Sequence, residues 1–194
     1  MNEVPEELQS LIQEAQFWAN EAWVNASENC FGIEVNNMTL EHLMLLDGIE
    51  TPFLKGGKIK DPDVALFLWI ISKDYSSEKK KKDAFFKKVV NLKTIPTVKW
   101  IKEYCKKTFV DADTMSMGEK GQTYFVSYFV DLFAREYGWD FNQIMKLPLR
   151  IGFQLITAIN ERNAKRAGEK YQRITSVDNE INRYILKGNS KDGI

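Results

Sequence analysis

Apolar residues recur every three or four positions along most of this chain, which is the spacing of one face of an α-helix. In the first such segment the apolar positions run from Leu8 to Ala26, with Pro5 near the start and Gly32 beyond the end. Most later segments likewise open at a proline or at a capping residue, among them Thr39, Asp61 and Asp140, and several close near a glycine such as Gly138. They are predicted at residues 40–47, 62–73, 78–92, from 96 onward, 124–137, 141–146, 148–167 and 174–186.

Alternation typical of β-strands is almost absent, and only residues 31–35 fit one short extended piece. The chain is therefore predicted to be all-α, a compact bundle of about seven or eight helices with room for two subdomains. The clearest loop is residues 111–122, which contain two glycines and lack apolar periodicity. It divides an N-terminal helical region, residues 1–110, from a C-terminal one, residues 123–187, and residues 188–194 are expected to be a disordered tail.

The charge of the chain is balanced in total but not along its length. Lysine and arginine together number 27, and so do aspartate and glutamate. Residues 1–50 contain ten acids and no lysine or arginine, residues 73–107 contain twelve lysines against four acids, and residues 144–194 contain ten basic residues against five acids. Opposite charges so arranged can pair within one molecule, between copies of it, or with a charged partner, and the sequence leaves all three open.

Residues able to carry catalysis or bind a metal are scarce. His42 is the only histidine, and it lies in a short predicted helix where a surface or half-buried position is expected. Cys30 and Cys105 lack the spacing of a metal or redox pair, so we expect small buried side chains in a reducing compartment. Asp111 and Asp113 begin like a calcium loop, but methionine, serine and glutamine replace residues that such a loop needs. We therefore expect no enzyme, no metal site and no cofactor.

Export and membrane insertion are not predicted either. The first ten residues carry three acids and no basic residue, which is the reverse of a secretory signal. The longest apolar run, residues 64–71, is far shorter than the roughly 18 residues that a membrane-spanning helix needs. We expect the protein to stay in the cytoplasm where it is made.

A lysine cluster at the start of the predicted helix 78–92 is the strongest sign of nucleic-acid binding, because clustered cations neutralise phosphates. The same helix needs a buried face, on which we expect Phe85, Phe86, Val89 and Val90 to lie. A solvated helix face is therefore the alternative interpretation of the cluster. Its cations are Lys79, Lys80, Lys81 and Lys82.

Two passages of the chain carry distinctive motifs. Residues 39–72 contain a T-L-x-H-L-x-L-L helix, a P-F-x-x-G-G turn and an L-W-x-x-S helix, and residues 136–160 contain a G-W-x-x-x-x-I-x-x-L-P-L passage. Both passages resemble small tail-region proteins of long-tailed bacteriophages, a group similar to the tail assembly chaperones encoded near the tape-measure protein. The resemblance implies an all-helical, non-enzymatic assembly factor of the host cytoplasm. Such a factor keeps the tape-measure protein soluble and recruits tail-tube subunits.

The same resemblance also fits a structural or packaged virion protein, and a nucleic-acid-binding or regulatory helical module is a further alternative. A chaperone needs adaptable apolar contacts, but most aromatic residues at helical spacing belong to the core. Partner contacts are therefore expected at helix ends and turns, and self-association is expected to use the oppositely charged segments. The selected contact residues are Phe53, Trp139, Phe141 and Arg150.

Overall fold

The computed structural model describes residues 6–24, 27–112 and 124–170. These residues are mostly helical, as predicted, but they form nine helices and a two-stranded sheet rather than a clean bundle of seven or eight helices. The predicted helix at 174–186 and most of the predicted boundary loop lie outside the described residues, as does the predicted tail. The elements are α1 Glu6–Val24, β1 Ser27–Cys30, β2 Ile33–Asn36, α2 Leu40–Gly48, α3 Pro52–Lys55, α4 Asp61–Ile71, α5 Lys79–Val89, α6 Thr94–Phe109, α7 Phe125–Tyr137, α8 Phe141–Met145 and α9 Leu149–Ala167.

The hairpin of β1 and β2 corrects the prediction of a single extended piece. The two strands pair antiparallel and are joined by Phe31 and Gly32, whose φ angles are 50° and 88°. Both angles are positive, as a two-residue hairpin turn requires, and glycine adopts them without strain. The Gly32 N–H also donates to the side-chain oxygen of Asn29 at 2.8 Å. Strands of four residues are too short for alternation to stand out in the sequence.

Helix α4 is the centre of the larger core because it is apolar on nearly every side. Its residues from Phe67 to Ile71 are all buried, and the helix packs against α2, α5 and β2. The ring of Phe67 lies 5.0 Å from that of Phe53 and 6.3 Å from that of Tyr104. The Tyr104 hydroxyl donates to the backbone oxygen of Asn36 at 2.6 Å, which ties α6 to the end of β2. These contacts hold five elements, α2, α3, α5, α6 and β2, around one helix.

Local hydrogen bonds set the ends of several helices much as the sequence predicted. Thr39 caps α2, and Asp140 caps α8 by accepting from the N–H of Gln143 at 2.9 Å. At α4, however, Asp61 was expected to be the cap, whereas the carboxylate of Asp63 accepts from the backbone N–H of Lys60 at 2.8 Å. Asp61 already lies inside the helix, so its side chain is available elsewhere. The turn predicted after Thr51 winds into the short helix α3.

The chain folds into two compact units, and each is built from segments that are distant in sequence. Of the described residues, the first unit contains 6–24, 109–112 and 150–170, and the second contains 27–108 and 124–149. The boundary predicted at the central loop stays a prediction, since little of that loop is described. Among the described residues, no helix is long and apolar enough to cross a membrane.

Polar contacts tie α1 to α9 in the first unit. The indole N–H of Trp23 donates to the side-chain oxygen of Gln154 at 2.7 Å, and the Gln154 amide donates in turn to Asp111 at 2.8 Å. Arg150 lies 3.8 Å from the carboxylate of Glu21. Because Arg150 is only 5% exposed, this ion pair is largely removed from solvent. The unit is therefore stabilised by polar pairs as well as by apolar packing.

Candidate functional site

An apolar groove lies between α4, α5 and the start of α6 in the second unit. It has a volume of about 260 Å³, and most of its lining is aliphatic or aromatic. Asp61 also lines it, where its carboxylate accepts a hydrogen bond of 3.1 Å from the Thr94 hydroxyl. A groove of this kind offers apolar walls with a fixed polar group, which is the usual composition of a binding site. The apolar walls include Val64, Ala65, Phe86, Val89 and Val90.

The rim of the groove carries two strongly exposed aliphatic side chains. Val90 is 81% exposed and Ile95, which follows the groove-lining Thr94, is 84% exposed. Single exposed apolar residues are common on protein surfaces, but exposed residues that adjoin an apolar groove enlarge it into a patch. Val90 was expected on the buried face of α5, and that prediction is wrong. Helix α5 directs Phe85 and Val89 toward α4, so Val90, which follows Val89, points outward.

The lysine cluster adjoins this groove. Lys79, Lys82, Phe86 and Val90 follow one another at spacings of three, four and four residues, so all four share one face of α5. The Lys82 ammonium lies 5.4 Å from the centre of the Phe86 ring, at the distance of a cation–π contact. The face of α5 that borders the groove is therefore basic toward the start of the helix and apolar toward its end.

The position of the lysines at a helix start is electrostatically unfavourable. The N-terminal end of a helix carries partial positive charge, so cations there are repelled rather than stabilised. One of the four, Lys81, pairs with Glu78 at 2.8 Å. Among the described residues, Lys79 and Lys80 have no ion-pair partner. An acidic group bound beside them would relieve this repulsion.

Two of the sequence-predicted contact residues pack inside the second unit. Phe53 is half-buried against Phe67, and Trp139 is half-buried with its ring 4.9 Å from that of Tyr137 and 5.7 Å from that of Phe133. Both lie at turns, as expected, but their rings fill space beside core aromatic rings. Substituting either one would disturb packing as well as any partner contact.

The other two predicted contacts differ from each other in exposure. Phe141 is 58% exposed at the first position of α8, so its ring is accessible. Arg150 is buried beside Glu21 in the first unit, so its guanidinium is not accessible to a partner. Sequence reasoning missed Ala65 and Thr97 as groove residues, because only the packing of three helices brings their positions together.

His42 has a structural role at the start of α2. Its backbone N–H donates to the Thr39 hydroxyl at 3.3 Å, while its Nδ1 accepts from the Thr39 backbone N–H at 3.2 Å. This reciprocal pair is a capping box in which histidine replaces the usual Glu or Gln. Burial lowers the pKa of His42, although the neighbouring Glu41 and the Asn37 backbone act in the opposite direction. Only the neutral ring can accept at Nδ1, so the box depends on pH.

The stability of the protein should fall as His42 gains a proton. Because its folded-state pKa is lowered, the loss begins near the unfolded-state value of about 6.5 and is complete below the folded-state pKa. Urea unfolding at about pH 7.5 and 5.5 measures it, and the proton resonance of the single histidine gives the pKa directly. His42→Gln keeps the capping box and should remove this part of the pH dependence. A measured pKa above 6.5 contradicts the expectation.

The cysteines are poorly placed for chemistry. Burial raises the pKa of the Cys30 and Cys105 thiols to about 12, so both stay protonated and weakly nucleophilic at neutral pH. Within the described ranges, no group of three or more His, Cys, Asp or Glu side chains is placed to hold a metal ion. The apolar groove is therefore the feature of the described residues that is best suited to a function.

Comparison of the chain with protein-family models, with curated proteins and with solved structures found no match.

Proposed function

We propose that this chain is a non-catalytic assembly factor of a long-tailed bacteriophage, similar to a tail assembly chaperone. In this role it binds an amphipathic helix of the tape-measure protein in the groove between α4, α5 and α6, and it recruits tail-tube subunits to that complex in the host cytoplasm. The observation that carries the proposal is the groove with Val90 and Ile95 exposed at its rim. The resemblance of residues 39–72 and 136–160 to phage tail-region proteins supplies the class of partner.

The groove suits a helix because of its shape and composition. An amphipathic helix presents apolar side chains at every third or fourth position, and a groove between helices accepts such a row of anchors. Each square ångström of apolar surface that the complex removes from water contributes roughly 25 cal/mol. The same burial keeps an apolar helix out of contact with its neighbours, which is how binding prevents aggregation. Salt does not screen apolar burial, so the complex should survive moderate salt.

Co-expression with the tape-measure protein of the same phage tests the proposal. We expect the tape-measure protein to stay in the soluble fraction and to copurify with this chain. Val90→Lys and Ile95→Lys should each weaken the complex at least about tenfold, which corresponds to about 1.4 kcal/mol at one anchor. Both side chains are exposed, so the helical circular dichroism spectrum should not change. Ile49→Lys, an exposed isoleucine outside the groove lining, is the matched control and should bind as the native chain does.

The alternatives give different outcomes in the same system. If the tape-measure protein precipitates equally with and without this chain, the chaperone proposal is wrong. Stoichiometric amounts of the protein in mature virions would favour a structural or packaged virion protein. Duplex DNA binding tighter than about 10⁻⁶ M at physiological salt, falling steeply as salt rises, would favour a nucleic-acid-binding module. Replacement of Lys79 and Lys80 by alanine should then abolish that binding.

A further inference from the structure

Helix α1 carries a face on which two described apolar side chains are exposed beside an acid. Phe17 is 63% exposed and Val24 is 80% exposed, and because they are seven residues apart they lie on the same side of the helix. The exposed Glu14 lies one turn before Phe17 on that side. Helix α1 contains no lysine or arginine. This face is a second apolar surface of the chain, and its charge is opposite to that of the lysine cluster beside the groove.

We propose that the groove between α4, α5 and α6 binds helix α1 of a second copy of this chain when no other partner is present. The proposal rests on the proposed function only in treating the groove as a helix-binding site. The bound α1 places Phe17 and Val24 against the apolar part of the groove. Its Glu14 then lies beside Lys79 and Lys82. The contact joins copies head to tail, and α1 occupies the groove until the tape-measure helix displaces it.

Spacing along the two helices supports this pairing. At a rise of about 1.5 Å per residue, Glu14 and Val24 are about 15 Å apart along α1. Lys79 and Val90 are about 16.5 Å apart along α5 on the same measure. A parallel alignment therefore places the acid of one helix beside the lysine of the other, with valines together at the far end.

The charges that remain unpaired also favour this contact. Other acids of the N-terminal segment already have partners in the second unit: Glu28 lies 3.6 Å from Lys107, and Glu34 lies 3.0 Å from Lys73. Among the described residues Glu14 has no ion-pair partner. Within one copy Phe17 and Val24 stay exposed, as do Val90 and Ile95 at the groove. A second molecule can cover both surfaces at once.

The two surfaces differ, so the contact is heterologous. Each copy offers both a groove and an α1, so such contacts build open chains or closed rings, of which a reciprocal pair is the smallest. The mean mass of the protein should therefore rise with its concentration at low salt. It should fall toward that of a single copy near 0.5 M salt, since the lysine–glutamate attraction is screened within about 4 Å there.

Sedimentation velocity of the full chain over a range of concentrations tests the proposal. Glu14→Lys and Lys79→Glu should each weaken self-association about tenfold or more, and Phe17→Ser should do the same without changing any charge. An equimolar mixture of the Glu14→Lys and Lys79→Glu proteins should associate again, because the native α1 of one then meets the native groove of the other. Lys146→Glu, an exposed lysine outside the groove lining, is the control and should leave association unchanged.

A single copy at every concentration and low salt would overturn the proposal, as would association that persists in both charge variants. A mixture that fails to associate would overturn it too. The failure of the proposed function is a separate result, because that function is measured by solubility of the tape-measure protein. If Ile95→Lys abolishes tape-measure binding while the native chain never self-associates, the groove binds helices but α1 is not one of them.

Discussion

Phe67→Ala should lower the free energy of unfolding by about 3–5 kcal/mol, as truncation of a buried phenylalanine usually does. Phe67 has no exposed surface, and its ring contacts those of Phe53 and Tyr104. These three rings join α4 to α3 and α6, so removal of the central one leaves a cavity that the rigid helices around it can close only in part. The groove should be affected as well, because α4 forms one of its walls.

Urea or guanidinium unfolding followed by circular dichroism measures this effect. Phe141→Ala is the matched control: its ring is exposed, so its truncation should change stability by less than about 0.5 kcal/mol. Phe67→Leu should lie between the two, because it retains most of the buried apolar volume. A loss below about 1.5 kcal/mol for Phe67→Ala would mean that the core around α4 is packed differently.

Glu21→Ala should destabilise the first unit by about 3 kcal/mol, because it leaves the buried guanidinium of Arg150 without its nearby carboxylate. Removing one member of a buried ion pair costs more than the pair contributes, since the remaining charge stays out of water. The loss should persist at high salt, because the pair is shielded from solvent ions. The exposed pair of Lys165 with Glu161 provides the contrast: Glu161→Ala should leave the stability nearly unchanged.

The double replacement Glu21→Leu with Arg150→Met should recover much of that stability. It removes both charges at once and fills the same space with apolar atoms. Denaturant unfolding of the two single variants and of the double variant gives the coupling between them. Equal losses in Glu21→Ala and in the double variant would show that packing around the side chains, rather than the ion pair, determines the stability of this contact.

The sequence predicted those parts of the fold that depend on neighbouring residues. Thr39 and Asp140 cap helices because their side chains reach N–H groups three residues away, and Gly138 ends α7 in the left-handed conformation that glycine favours. The alternation of apolar and polar residues, however, was too weak to predict strand β1. A hairpin of two four-residue strands depends on pairing and on the cover that α4 and α6 provide, neither of which a local pattern contains.

The candidate site could be predicted only in part. The lysines at the start of α5 are visible as a cluster, and their chemistry follows from their type. Their function depends on the groove beside them, which has Val90 at its rim. The sequence predicted a buried Val90, because four apolar residues in six form a stripe that is too wide to show which edge faces the core.

Arg150 illustrates the same limit for charged residues. Its sequence position after Pro148, at a helix start, predicted an exposed contact, but the side chain is buried beside an acid 129 residues earlier in the chain.

The sequence by itself determined the helical character, most helix ends, the opposite charges of the two ends of the chain, and the scarcity of catalytic and metal-binding residues. These follow from interactions over a few residues or from composition alone. Only the tertiary structure decided which face of each helix is buried, that α4, α5 and α6 leave a groove between them, and that Phe17 and Val24 stay exposed on α1. Those features arise from contacts between residues far apart in the chain, and periodicity limits such contacts without specifying them.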